Sequence, residues 1–287
     1  MVSSFLITLR EGLEAALIVG LVLAAVRKAG AQRMVRSVWY GVGAAVGLSL
    51  AAGLGFGLTV GSLPDDVGEA VEGAASLAAV GVLTFMIFWM RRQARYMAAE
   101  IDAKVSAAAG LGSGWALGLL AFAAVLREGL ETALFLFAAL TSTGTAAGAG
   151  GAVLGLVGAV AVGYALYRGS IRLDLGKFFW ATGALLLVLG AGLLAYGIHE
   201  LQEFGLLPAV VEHLWDTNGI LNEKVGWGAL LKGLVGYNGD PSLVEVAAYW
   251  AYLLSVGFLF LRPTRSVGLT SGTSGVERVT GEEPAAR

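Results

Sequence analysis

Two stretches of the sequence, LREGLEAALIVG from Leu9 to Gly20 and LREGLETALFLF from Leu126 to Phe137, place charged residues inside otherwise apolar runs. On a helix, Glu11 and Glu14 are i and i+3, and Arg10 and Glu14 are i and i+4, so one guanidinium stands beside two carboxylates. Arg127, Glu128 and Glu131 repeat the arrangement. Each copy carries one negative charge in excess when all three groups are ionised. The pairs Arg10 with Glu14 and Arg127 with Glu131 could serve as helix glue, but leucine serves that purpose without burying charge. Six ionisable groups near a bilayer centre, at about 2.5 to 3.5 kcal/mol each, carry an unfavourable term of order 15 kcal/mol before pairing. One arginine neutralises only one glutamate, and the carboxylate left over in each copy is what a cation would complete.

The ligand types narrow the cation. The chain contains no cysteine and only two histidines, His199 and His213, so disulfides, thiolate metal sites and thiol catalysis are excluded. Four carboxylates, Glu11, Glu14, Glu128 and Glu131, suit a hard ion such as Ca²⁺, Mg²⁺, Mn²⁺ or ferric iron better than Cu(I) or Zn²⁺.

The elements that must hold these groups are membrane helices. Of 287 residues, 57% are hydrophobic and 14% charged, and the mean hydropathy is +0.76; soluble domains carry about a quarter charged residues. Seven apolar runs are long enough to cross a hydrocarbon core of about 30 Å. They are Val2 to Val26, Val38 to Leu63, Val67 to Met90, Ser113 to Ser142, Gly150 to Tyr167, Leu175 to Ile198 and Leu243 to Leu261. No basic region precedes the first run and no cleavage site follows it, so it is expected to stay in the mature protein.

Charge sets the expected orientation. Alternate connections hold Arg27, Lys28, Arg33 and Arg36, then Arg91, Arg92, Arg95 and Lys104, then Arg168, Arg172 and Lys177, then Arg262 and Arg265. Such loops face the cytoplasm, which puts the N-terminus outside and the C-terminus inside. The opposite face is acidic, with Asp65, Asp66, Glu69 and Glu72, then Glu200, Glu203, Glu212, Asp216, Glu223, Asp240 and Glu245. Its field would concentrate an approaching cation.

The expected architecture is therefore an all-α membrane protein of seven transmembrane helices. REGLEAAL and REGLETAL lie 117 residues apart, and Phe5 and Leu9 match Phe122 and Leu126. Three crossings separate the copies, so the chain reads as two inverted three-helix repeats plus a seventh helix, with the site at the repeat interface. The transmembrane domain covers 1–262: repeat one about 1–110, repeat two about 111–200, an outer loop 200–242 and the last helix 243–261. Residues 263–287 read as a disordered cytoplasmic tail. Arg91 to Ala109 reads as a basic amphipathic helix on the cytoplasmic surface, and Gly205 to Gly239 as an outer connection containing an interfacial helix. Gly43 and Gly47, Gly114 and Gly118, and Gly151 and Gly155 have the spacing that lets helix backbones approach closely.

The doubled REGLE in the first and fourth segments, with AYGIHELQEFGLLP and with GYNGDPSLVEVAAYWAYL leading into the seventh, resembles the oxidase-dependent iron permease family. That family includes the high-affinity iron permeases of fungi and the EfeU permeases of bacteria, and the resemblance covers nearly all of the chain to about Arg262. It implies a permease, not an enzyme, that imports iron across the cytoplasmic membrane, with Glu11, Glu14, Glu128 and Glu131 as iron ligands supported by Arg10 and Arg127. Iron would be the carried substrate, with no permanent cofactor. The family commonly works with a separate extracytoplasmic iron oxidase or iron-delivery protein; a nucleic-acid partner is not expected, and the oligomeric state stays open. The family also has an outer E-x-x-E motif, which HELQE supplies as Glu200 and Glu203 beside His199; Glu69 and Glu72 have the same spacing. Glu69 with Asp66 could equally cap a helix, and HELQE lacks the second histidine of a zinc hydrolase.

Two other functions fit the same residues. A proton-coupled carrier of another divalent metal, such as manganese, would use the same glutamates. An intramembrane enzyme with a di-iron site would pair Glu with E-x-x-H, and neither REGLE copy supplies the histidine.

Overall fold

The computed structural model describes residues 1–93, 97–143, 145–167 and 175–262. Among them the chain forms nine α-helices and no strand: α1 Val2–Lys28, α2 Val35–Val60, α3 Asp65–Gln93, α4 Met97–Gly110, α5 Gly114–Thr143, α6 Thr145–Tyr167, α7 Leu175–Glu203, α8 Gly226–Val235 and α9 Leu243–Leu261. The loop residues Arg95, Arg168 and Arg172 and the tail from Pro263 lie outside the described residues, as do the side chains of Asp65, Asp66, Arg91 and Arg92. Hydrocarbon offers no partner to backbone amides, so apolar sequence of this length satisfies them within helices.

Among the described residues, five stretches are long and apolar enough to cross a membrane: Gln32–Val60, Val67–Met90, Gly148–Ala165, Trp180–Glu203 and Leu243–Leu261. The helices α1 and α5, at 27 and 30 residues, have the length. Their apolarity is interrupted by the arginine and two glutamates of each motif. Several helix ends depart from the apolar runs. The second helix starts at Val35 rather than Val38, α6 starts at Thr145 rather than Gly150, and α7 continues past Ile198 to Glu203. His199, Glu200 and Glu203 therefore ride on a helix, and the connection expected at 200–242 begins only after it.

The packing has an internal regularity. α1 packs chiefly on α6, α2 on α5, and α3 on α7, while α1 also crosses α5. Exchanging α1 with α5, α2 with α6 and α3 with α7 leaves that pattern unchanged. The short helices obey the same exchange, because α4 and α8 each touch both α1 and α5. Close glycine contacts fix the directions. Gly151 meets Met1, Gly155 meets Phe5 and Leu9, and Gly163 meets Ala16, so α1 and α6 run parallel. Gly114 and Gly118 meet Ser37 and Gly53 meets Ala133, so α2 and α5 also run parallel. Gly73 lies against Leu201 and Gly183 against Ile87, which makes α3 and α7 antiparallel. The third helix is further tied to α9 by a 2.7 Å hydrogen bond between the hydroxyls of Thr84 and Tyr252.

The expected pair Gly43 and Gly47 is not an interface; a side chain at either would meet open space. The close face of α2 is instead Gly41, Ala45 and Ser49, all buried. Two residues along a helix is about 200° around it, so the two sets face opposite ways.

Two apolar cores result. One gathers Ile7, Leu83, Met86, Phe135, Ala139 and Leu186 with their neighbours. The other gathers Val22, Val26, Val38, Val105, Leu117 and Ala121. Val105 belongs to α4, so this helix, expected on the membrane surface, buries one face against α1 and α5. On the same side, Asp102 of α4 forms a 2.7 Å ion pair with Lys28 of α1.

Candidate metal centre

Between these cores α1 and α5 cross antiparallel, and both motifs meet at the crossing. Arg10, Glu11, Glu14 and Glu128 are 3%, 1%, 5% and 4% exposed. Oxygens of Glu11, Glu128 and Glu131 lie within 4.8 Å of one another, the one such group of potential metal ligands among the described residues. Glu14, the fourth expected ligand, stays with its own arginine: Arg10 Nη2 lies 2.9 Å from Glu14 Oε1. That contact pairs the charges without hydrogen-bond alignment, and the same nitrogen donates to Met90 Sδ at 2.9 Å. Arg10 Nη1 donates to Glu11 Oε1.

The second motif is held differently. Arg127 Nε donates to Glu131 Oε1 at 2.9 Å and stands 3.9 Å from Glu128 Oε1. Its guanidinium lies 4.2 Å from the centre of the Trp89 ring, a cation–π contact. The two arginines thus rest on consecutive residues of α3. Neither contact was legible in the sequence, since Trp89 and Met90 read there as ordinary apolar residues near the end of a membrane span.

Glu11 Oε2, Glu14 Oε1, Glu128 Oε2 and Glu131 Oε2 are buried and accept no hydrogen bond. A buried acceptor left unpaired costs about 1 to 3 kcal/mol, more when charged. Four carboxylates face two guanidinium groups, leaving two negative charges in excess. Acceptors outnumber donors, Arg10 Nε being the one buried donor here without a partner, so the arrangement suits a cation better than an anion.

The outer acids gather elsewhere. A cavity of about 570 Å³ lies beneath the connection between α7 and α9, lined by His199, Glu200, Glu223, Asp240 and Glu245 among others, and by Ser3, Ile7 and Ala139. His199 Nδ1 lies 3.2 Å from Glu245 Oε1, and its Nε2 lies 3.4 Å from Glu203. Glu245 is 2% exposed; it accepts from Asn238 at 2.7 Å and closes a capping box with Ser242 at the start of α9. Tyr196 donates to Glu72 at 3.0 Å, while Glu69 stands half-buried on the same helix, one turn nearer its start. Of the expected outer set, His199 and Glu200 line the cavity; Glu69, Glu72 and Glu203 do not.

Glu223 was not expected to order this region. It accepts from Lys232 Nζ and from the Gly239 amide, each at 2.9 Å. Burial pushes its carboxyl up, but the Lys232 and Gly239 hydrogen bonds with the Lys232 and Lys224 charges outweigh that and hold it below the usual range.

Apolar helices of membrane length around a buried carboxylate group define an integral membrane protein. The sequence profile of the Iron permease FTR1 family matches residues 1–273, and the chain belongs to that family. It is 39% identical over 272 residues to the ferrous iron permease EfeU of Escherichia coli O6:K15:H31, covering 94% of this chain and 98% of that one. Against the ferrous iron permease EfeU of Yersinia pestis it is 39% identical over 264 residues, 91% and 94% of the two chains. These are transporters, not enzymes. No solved structure is significantly similar to the chain.

Proposed function

We propose that the protein imports iron across the cytoplasmic membrane through a site made by Glu11, Glu128 and Glu131. The observation that carries this reading is the group of three carboxylates with oxygens within 4.8 Å of one another, each also holding a buried oxygen without a hydrogen-bond partner and contributed by both copies of a repeated motif. Glu14 completes the set of four and stays paired with Arg10, which keeps the first motif oriented. Arg127 does the same for Glu131. The excess of two negative charges matches a divalent ion, and the relatives named above are ferrous iron permeases, so Fe²⁺ is the species proposed.

Seven crossings, with α1 and α5 among them, give the fold its sense in the membrane. The basic residues Arg27, Lys28, Arg33 and Arg36 then lie inside, the cavity beneath the α7–α9 connection opens outside, and the tail is cytoplasmic. The exchange symmetry of the packing, with α1 antiparallel to α5, supports two inverted repeats meeting at the REGLE crossing. Iron gathered by the acids of the cavity would enter the carboxylate site and leave inward as the halves rearrange. A separate extracytoplasmic protein would supply it.

Uptake of radioactive iron in cells lacking their own high-affinity permease tests the proposal. The wild-type chain restores uptake, Glu11→Gln at equal membrane abundance abolishes it, and excess Mn²⁺ leaves it unchanged. Uptake that survives Glu11→Gln contradicts the site; strong inhibition by Mn²⁺ favours a general divalent-metal carrier.

A further inference from the structure

We infer that Ile7 and Phe135 form a dry constriction between the outer cavity and the carboxylate site, and so determine which ions reach it and when. This rests on the reading of Glu11, Glu128 and Glu131 as the ion path. Ile7 stands one helical turn before Glu11 on α1, and Phe135 one turn after Glu131 on α5. Because the two helices are antiparallel, both side chains lie on the same side of the carboxylates, about 6 Å along the axis. Ile7 is 1% exposed and Phe135 0%, within one apolar core that also contains Leu83 and Leu186. Ile7 and Ala139, the latter one turn beyond Phe135, line the cavity. A single apolar layer therefore separates water in the cavity from the first carboxylate.

A hydrated cation does not cross such a layer. Its waters have no acceptors there, and an ion stripped of them has no ligand until Glu11. The layer must part, or pass an ion already losing its water, which favours ions that exchange water readily. The repeat makes the point sharper. The positions matching Ile7 and Phe135 on the far side of the site are Ala124 and Ile18, both only half-buried. The two motifs are nearly identical, yet only on the cavity side are both matched positions fully buried.

The absence of cysteine makes the test direct. Asn238→Cys places a thiol in the cavity and Glu14→Cys places one beyond the seal, each to be treated in iron-free cells with a membrane-impermeant thiol reagent from outside. With Ile7 and Phe135 intact, Glu14→Cys reacts at least about tenfold more slowly than Asn238→Cys. Adding Ile7→Ala with Phe135→Ala brings the two rates together, while Asn238→Cys keeps its own rate and so reports an intact cavity. Should that background fail to reach the membrane, Ile7→Val with Phe135→Leu gives a smaller rise in the same direction. Rapid labelling of Glu14→Cys with the seal intact overturns the inference, as does slow labelling in both widened backgrounds. Labelling needs no transport: an open path to residue 14 would defeat the seal while leaving iron uptake standing, and a chain that carries no iron would still show the seal.

Discussion

Glu128→Gln should make the ion-free protein more stable and the transporter inactive. The side chain is 4% exposed and its Oε2 accepts no hydrogen bond, so the amide keeps its shape and gives up only the charge contact with Arg127. At an effective dielectric near 20, like charges within 4.8 Å repel by about 3.5 kcal/mol or more, and Glu128 has two such neighbours, Glu11 and Glu131. Against roughly 7 kcal/mol of repulsion stands the Arg127 guanidinium at 3.9 Å, nominally about 4 kcal/mol. That attraction is discounted further because the Arg127 side chain is 41% exposed and screened by solvent. The net relief is of order 3 kcal/mol, several degrees in Tm. Ion binding moves the other way. The repulsion is present with and without the ion and cancels, leaving the loss of one of three anionic ligands, about 2 to 5 kcal/mol or at least about thirtyfold in affinity. Thermal unfolding in detergent without iron reads the first quantity and iron uptake at equal abundance reads the second. A variant that unfolds earlier than wild type, or that carries iron equally well, refutes the electrostatic account of the site.

Three further outcomes follow from other parts of the fold. Gly41→Ala drives a methyl group into the Gly118 carbonyl at the α2–α5 crossing and costs about 1 to 3 kcal/mol in thermal stability, whereas Gly47→Ala, which faces open space, costs nothing measurable in the same assay. Ser242→Ala removes the side-chain acceptor at the start of α9 and the 2.9 Å contact with Gln202, lowering stability by about 1 kcal/mol in denaturant titrations. Glu223 has its carboxyl held below the usual range in the folded loop, so its contribution is complete above the unfolded value near pH 4 and is lost as pH falls through the lower folded value. Limited proteolysis of the connection between α7 and α9 should therefore accelerate on acidification below about pH 4, and Glu223→Gln should be cut quickly at neutral pH as well.

What the sequence made legible depended on how local the signal was. Charge inside an apolar run needs no partner to be noticed, so Arg10, Glu11 and Glu14 and their copies were evident, as was the crossing that brings the copies together. Which carboxylates group was not evident: i and i+3 spacing treats Glu11 and Glu14 alike, and Arg10 reaches both, yet only Glu11 joins the second motif's pair. Met90 reaches Arg10 across 80 residues of chain and Trp89 reaches Arg127 across a shorter but still distant stretch, and nothing in an apolar span marks the residue that will cradle a guanidinium. The glycine misassignment had a similar origin. Gly43 and Gly47 have the right spacing, but spacing fixes a face without saying where it points; Gly41, Ala45 and Ser49 are the face that α5 covers. At the end of α7, the charged residues from His199 onward suggested a loop. There the helix continues, because Tyr196, His199 and Glu200 find partners around the cavity.

The most direct test of the central claim is crystallographic: anomalous diffraction at the iron edge from protein loaded with Fe²⁺ under reducing conditions. The account predicts one principal peak within bonding distance of Glu11, Glu128 and Glu131, absent from crystals of Glu128→Gln. A peak confined to the outer cavity, or none at the REGLE crossing in a protein that demonstrably carries iron, would contradict it.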